Sequence, residues 1–397
     1  MSIMVKNKIK NNKTKFALNG GEAIAYAMKQ INPEVVAMYP ITPQTPIIET
    51  YAKYKADGLV SSEIIRVESE HSALSAVIGA QACGVRAITA TASQGLLYMY
   101  EVLGVASGLR LPIVMPIANR AISSPINIHC DHSDSMSASN QGWMQIYCEN
   151  SQEGYESTIF ALKLAEKVKL PIMVCIDGFF TSHTLENINL FSDSKVKKFI
   201  GKYKPDYNLL NTNKPISIGP LALPNYYFEI RSGMYDAFNE VEKEFNNCRK
   251  EYKKIFNKDF KLLEDYYASK SETIIVVMSS TAGTTKNVID KLRKQGKKVG
   301  LLKPRLFRPF IYNKYKSILK NAKKIIVLDR AVVPGSLAPL YSEIRQSVYE
   351  INNNRPEVYS HIFGIGGRDI FEKDIEELLL KYINNKIPKE KYIGLRK

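Results

Sequence analysis

Short apolar runs alternate along most of the chain with longer segments whose apolar positions return every three or four residues. From Leu18 onward, Gly20–Ile31 carries small residues on one face and predicts a helix, and Val35–Tyr39 predicts a buried strand. Pro46–Ala56 predicts a second helix and Glu63–Val67 a second strand. That strand runs into a helix on which small apolar residues, Ala73, Ala76, Val77 and Ala80, share a face. Arg86–Thr91 as strand, Gly95–Gly108 as helix and Pro112–Ala118 as strand continue the series. After an irregular loop, Ser151–Val168 predicts an amphipathic helix leading into the strand Pro171–Ile176. Alternation of this kind predicts a doubly wound, mostly parallel α/β sheet with helices on both faces. In such sheets the working residues sit in loops beyond the carboxyl ends of the strands.

The periodicity weakens between about 180 and 270, where prolines 205, 215, 220 and 224 precede a charged helix, Gly233–Phe256. A second alternating series begins at Glu272. It predicts strands at Thr273–Met278, Val299–Lys303, Lys324–Leu328 and Val358–Phe363, with helices at Thr284–Gln295, Gly335–Tyr349 and Phe371–Asn384. The expected organisation is a polar leader (1–17), a first α/β domain (18–200), a linker or arm (201–270) and a smaller α/β domain (271–397).

Composition narrows the function. The apolar share of 45% and charged share of 24% fit a soluble globular chain. No apolar run approaches the ~18 residues of a membrane helix. The lysine-rich leader has neither the apolar middle of a secretory signal nor the arginines of a transit peptide. The five cysteines are scattered with no CxxC pair, which excludes the usual iron–sulfur and structural zinc spacings and fits a reducing cytoplasm. The net charge of +16 is spread lysine without a nucleic-acid-binding motif, and an acidic protein partner suits it better than nucleic acid.

The strand ends of the first domain bring the candidate chemistry. They are Tyr39-Pro40-Ile41-Thr42-Pro43, Glu68-Ser69-Glu70, Thr91-Ala92-Ser93-Gln94-Gly95 and Asn119-Arg120. On one rim these loops would combine hydroxyl, carboxyl and guanidinium groups, suited to an anionic small molecule beside a heteroaromatic cofactor. Each residue also has a plainer reading. Glu70 at a helix start favours the positive end of the helix dipole, Thr42 sits in a turn between two prolines, and Arg120 is a loop arginine. Glu68 is expected to face away. The loop His129-Cys130-Asp131-His132-Ser133-Asp134 gathers potential metal ligands, but no distant pair completes a cage, so no metal site is assigned.

Longer motifs carry a resemblance. NGGEAIAYA (19–27), YPITPQTP (39–46), RVESEHSALSAVIGAQACG (66–84), TASQGL (91–96), PIANRAISSPINI (116–128) and DHSDSM (131–136) resemble, in order and spacing, the alpha subunits of the pyruvate:ferredoxin oxidoreductases. These belong to the thiamine-diphosphate-dependent 2-oxoacid:ferredoxin oxidoreductase family. RLFRPF (305–310), VLDR (327–330) and GIGGRD (364–369) resemble its transketolase C-terminal-like domain. The resemblance implies a thiamine-diphosphate-binding fold of the pyrimidine-half type, followed by that smaller domain. It implies that Glu70 is the catalytic acid bonding N1′ of the aminopyrimidine, favouring the imino tautomer that accepts the C2 proton. Thr42 would meet the oxo or carboxylate group of the substrate, Pro40 would offer backbone to the aminopyrimidine, and Arg120 would pair the substrate carboxylate.

Thiamine enzymes hold the diphosphate through magnesium on a Gly-Asp-Gly segment, which is not found here; Asp57-Gly58 and Asp177-Gly178 lack the preceding glycine. The resemblance therefore implies half of a split site, completed by a beta subunit. Gamma and ferredoxin-like delta subunits, iron–sulfur clusters and coenzyme A would belong to the complex, with ferredoxin or flavodoxin as acceptor. The implied reaction is oxidative decarboxylation of pyruvate to acetyl-coenzyme A and carbon dioxide. RAISSPINI (120–128) resembles the pyruvate type more than the 2-oxoglutarate type, and a branched-chain 2-oxo acid is the runner-up substrate. From other classes, a noncatalytic scaffold and a basic nucleic-acid-binding module are the competing readings.

Overall fold

The computed structural model describes residues 15–396; residues 1–14 of the expected leader lie outside them. Lys15–Leu18, the first described segment, pairs antiparallel with Glu186–Asn189.

Seven strands form the larger sheet, in the order Leu306–Arg308, Met144–Tyr147, Ile172–Asp177, Val114–Asn119, Ala87–Ile88, Val35–Met38 and Glu63–Arg66. All neighbours are parallel except the first pair, which is antiparallel. The chain leaves Val35–Met38 towards one edge of the sheet and returns as Ala87–Ile88 on its other side. The order therefore reverses between these two strands, the point at which α/β sheets open a crevice for ligands. The segments above it are residues 39–44, before the helix Thr45–Ala56, and residues 89–92, before the helix Ser93–Tyr98.

Local sequence explains the helices that cover this sheet. Gly20–Ile31 starts in a capping box, in which the Asn19 side chain accepts from the Glu22 amide (2.8 Å) and Glu22 accepts from the Asn19 amide (2.9 Å). Its buried face packs on Ser151–Val168 and Thr45–Ala56. The expected helix Gly95–Gly108 is divided at Met99 into Ser93–Tyr98 and Tyr100–Gly108.

The charged helix is longer than its pattern indicated, running from Pro224 to Phe256. From Met234 on, residues at three- and four-residue spacing are buried, including Val241, Phe245, Tyr252 and Phe256. Its first turns carry exposed Tyr226, Tyr227 and Phe228, so no amphipathic period marks them.

Five strands form the second sheet, in the order Glu357–Ile362, Lys324–Asp329, Thr273–Val276, Val299–Pro304 and Leu263–Tyr266, with only the last antiparallel to its neighbour. Leu306–Arg308 leaves this region to edge the first sheet, so the two halves share backbone pairing. They also share a buried ion network. The Lys303 ammonium, 1% exposed, contacts Glu149, Glu153 (2.8 Å) and Glu264 (2.9 Å), and Arg305 joins Glu153. A lone ammonium there would be expensive to bury, and three carboxylates offset that cost.

Sequence pattern missed Met144–Tyr147 because polar Gln145 interrupts it. The Gln145 side chain is nonetheless buried, donating to the Ser135 carbonyl at 2.7 Å. Among the described residues, no helix is long and apolar enough to cross a membrane.

Candidate active site

Glu70 is the first residue of the helix Glu70–Ala82, behind the strand Glu63–Arg66. Ser69 caps this helix, its hydroxyl accepting from the Ser72 amide at 3.2 Å. The Glu70 side chain is 7% exposed, whereas Glu68 faces solvent. Its carboxyl lies against Gly95 and Thr91. A Cβ on Gly95 would stand 2.7 Å from Glu70 Oε1 and 2.4 Å from Thr91 Oγ1, so any larger residue there would displace both groups. Among the described residues nothing hydrogen-bonds the Glu70 carboxyl, and Thr91 Oγ1 is buried without a partner. Buried polar groups are normally satisfied, so the unpartnered Thr91 hydroxyl, beside a carboxyl that no other side chain engages, suits a polar ligand that enters there.

Arg120 follows the fully buried strand Val114–Asn119 and is itself buried at 7% exposure. Its Nε donates to the Asn127 carbonyl (2.8 Å) and its Nη1 to the Thr42 carbonyl (2.9 Å). Burial lowers the Arg120 pKa, against the pull of nearby Asp134. Thr42 and Pro40 are exposed on the rim, and the Thr42 carbonyl holds Arg120.

Asp134 joins the loops that carry these groups. Its Oδ2 accepts from the amides of Ser93 (2.9 Å) and Arg120 (3.0 Å). Its Oδ1 accepts from Asn119 Nδ2 (2.8 Å) and the Ser135 amide (2.7 Å). Burial pushes its pKa up to about 6 despite these bonds. Gln44 Nε2 donates to the Ala90 carbonyl (2.8 Å), tying the Thr42 loop to the Thr91 segment. The loops carrying Thr42, Arg120 and the Thr91–Ser93 segment against which Glu70 lies are thus one hydrogen-bonded unit. Asp134 was visible in the sequence only as part of a motif; nothing local indicates that its carboxylate serves four donors on three segments.

The same loop meets the second domain on its other side. His132 Nε2 lies 2.8 Å from Asp177 Oδ1, and Arg330 Nη1 donates to Asp177 Oδ2 at 2.9 Å. Ser280 donates to the same oxygen through both its amide and its hydroxyl. Burial alone would raise the Asp177 pKa, but the His132 and Arg330 charges with these bonds hold it well below the usual carboxylate range. Potential ligand atoms of Cys130, His132 and Asp177 lie within 4.8 Å of one another. The distant acid that the sequence did not reveal is Asp177, and the Arg330 guanidinium already serves it as cation.

A cavity of ≈ 590 Å³ lined by Val332, Val333, Lys391 and Tyr392 lies in the second domain and includes none of the rim residues.

Two family models match the chain. One, described as pyruvate flavodoxin/ferredoxin oxidoreductase, thiamine diphosphate-binding, spans residues 26–250, and the other, pyruvate:ferredoxin oxidoreductase core domain II, spans 271–375. Pyruvate synthase subunit PorA of Thermotoga maritima is 47% identical over 96% of this chain and 98% of its own length. The PorA subunit of Methanocaldococcus jannaschii is 44% identical over 91% and 93%, respectively. Ketoisovalerate oxidoreductase subunit VorA of Pyrococcus abyssi is 41% identical over 92% of both chains. Among solved structures, a 2-oxoglutarate:ferredoxin oxidoreductase from Magnetococcus marinus superposes with a TM-score of 0.74, covering 95% of this chain and 67% of that one. At 19% identity this likeness speaks for the fold alone. A split-gene transketolase (TM-score 0.53, 8% identity, covering 91% of this chain and 93% of that one) shares the same architecture.

Proposed function

The chain belongs to the pyruvate:ferredoxin oxidoreductase family as an alpha subunit, and from that premise we propose that Glu70, Thr42, Arg120 and Pro40 form the pyrimidine-side half of an active site for pyruvate. The reaction is oxidative decarboxylation to acetyl-coenzyme A and carbon dioxide, with two electrons leaving singly to ferredoxin or flavodoxin. When bound, thiamine diphosphate supplies the nucleophilic carbon and the electron sink for decarboxylation.

This chain's residues bind, orient and handle protons. Arg120 presents the unengaged edge of its guanidinium to the substrate carboxylate. The Thr42 hydroxyl hydrogen-bonds the substrate oxo or carboxylate group. Glu70 holds and returns a proton at the ring nitrogen of the aminopyrimidine, to which Pro40 offers its backbone. The buried wall of Thr91 and Gly95 closes one side of the Glu70 carboxyl. The observation that carries this reading is the Thr91 hydroxyl, buried without a partner, beside the carboxyl of the largely buried Glu70, which no described residue hydrogen-bonds.

The division of labour is part of the proposal. With neither a Gly-Asp-Gly segment nor cluster-type cysteine spacing in its sequence, this chain leaves the diphosphate, magnesium and iron–sulfur sites to beta, gamma and ferredoxin-like delta subunits of a cytoplasmic hetero-oligomer. Residues 18–200 and 271–397 act as two domains joined through 201–270.

The test is Glu70→Gln in the reconstituted complex, scored by pyruvate-dependent dye reduction. A loss of roughly 10²–10⁴-fold in kcat is expected for removal of the proton-handling group. Unchanged turnover would overturn the reading and leave a noncatalytic scaffold. The VorA relative at 41% identity supports a second arm with the branched-chain 2-oxo acid, and pyruvate is expected to give the higher kcat/KM.

A further inference from the structure

The GIGGRD segment carries no part of the chemistry described so far, yet it stands against the loop that follows Arg120. Asn127 Nδ2 donates to the Gly366 carbonyl at 3.0 Å, and Asn127 Oδ1 accepts from the His129 amide at 2.6 Å. The side chain is therefore fixed at both ends. Its own carbonyl receives Arg120 Nε at 2.8 Å. The Gly366 amide in turn donates to Asp131 Oδ2 at 3.1 Å, so the turn grips the loop at two places.

Only glycine permits this approach. Gly366 has φ +62°, and a Cβ there would stand 2.7 Å from Asn127 Nδ2. A Cβ on Gly367 would fall 2.3 Å from His129 Cβ. A turn with side chains could not come so near the loop.

We propose that Asn127 is a positioning residue through which the Gly364–Gly367 turn of the second domain sets the orientation of the Arg120 guanidinium towards the substrate carboxylate. The proposal rests on the reading of Arg120 given above. With Nε on Asn127 and one Nη1 proton on Thr42, the remaining Nη1 proton and Nη2 form the edge available to a carboxylate. Two-point recognition by a planar fork is sensitive to rotation, so a loosened Asn127 carbonyl weakens substrate binding without removing any group that touches substrate.

The experiment uses the reconstituted holo-complex and compares Asn127→Ala, Gly366→Ala, Arg120→Gln and the double variant Arg120→Gln/Asn127→Ala. Asn127→Ala and Gly366→Ala are expected to raise the KM for pyruvate about tenfold, the worth of one hydrogen bond, with kcat within about twofold. Arg120→Gln raises KM further, and the double variant matches Arg120→Gln alone, because Asn127 acts only through Arg120. A merely structural role would lower kcat and KM effects together and add to Arg120→Gln. Gly366→Ala probes the contact from the other side should Asn127→Ala not assemble. A raised KM in Arg120→Gln with unchanged KM in both Asn127→Ala and Gly366→Ala overturns the relay alone. An unchanged KM in Arg120→Gln overturns the substrate-binding reading and the relay with it.

Discussion

Glu70 and Asp177 are both buried carboxylates associated with the carboxyl ends of strands in one sheet, and their surroundings are opposite. Asp177, at the end of Ile172–Asp177, is saturated by His132 from its own half and by Arg330 and Ser280 from the other. Glu70 has no protein partner among the described residues and lies against a hydroxyl that has none either. A buried charge that is fully paired holds parts of the structure together. A buried polar group left unpaired weakens the fold and is retained where a ligand completes it. The region around Asp177 is accordingly a clasp between the two sheets' halves, and the rim around Glu70 is the surface proposed above to work on substrate.

This contrast can be broken by experiment. The largest effect is expected from Asp177→Ala, which leaves the Arg330 guanidinium buried without its counter-charge. A stability loss of about 3–5 kcal/mol follows, read as a shift of the denaturation midpoint. Loss of turnover with an unchanged midpoint would show instead that the clasp belongs to the chemistry.

A pH experiment sharpens what the charged partners do. Asp329, adjacent in sequence to Arg330, accepts only from the Leu340 and Tyr341 amides, and burial pushes its pKa up to about 7. Between pH ~4 and 7 the folded chain keeps this proton while the unfolded chain has released it. Stability should therefore fall as pH rises through that window, by up to ~1.4 kcal/mol per unit, and level off above it. Asp177 has the opposite sign: its contribution is complete above pH ~4 and is lost as pH falls below that. Comparing denaturation midpoints of Asp329→Asn and the parent chain from pH 4 to 8 isolates the Asp329 slope. A slope of the reverse sign would mean that the amide donors alone suffice to keep the acid charged.

The smallest effect tests the rim. Ser69→Ala removes the cap of the helix that begins with Glu70 and is expected to lower stability by about 1 kcal/mol. Turnover should drop several-fold as well, because the first turn that orients the Glu70 carboxyl frays. A matching loss of stability with full activity would show that Glu70 is oriented by Gly95 and Thr91 rather than by its helix.

Much of this was legible before any coordinates. The strand-and-helix alternation predicted Gly20–Ile31 and Ser151–Val168 to the residue. It did so because an apolar face that returns over three or more turns leaves little ambiguity. The strands Met144–Tyr147 and Leu306–Arg308 were not legible. Each is short and pairs with a distant segment, so neither periodicity nor propensity marks it. Glu70 stood out because it opens a small-residue helix directly behind a strand, whereas Asn127 and Asp134 did not, since their partners lie on other segments.

By itself the sequence determined the α/β class, the helix that starts at Glu70 and the residue types on the rim. These follow from local φ/ψ preferences and from which positions along each element must leave water. Tertiary structure alone decided that Arg120 is gripped by Thr42 and Asn127, that Asp177 closes on His132 and Arg330, and that Glu70 is left without a partner. Those outcomes depend on strand order and domain docking, which bring together groups such as Asp177 and Arg330, 153 residues apart. Whether a buried carboxyl is paired or left open to a ligand is settled by the company it meets there.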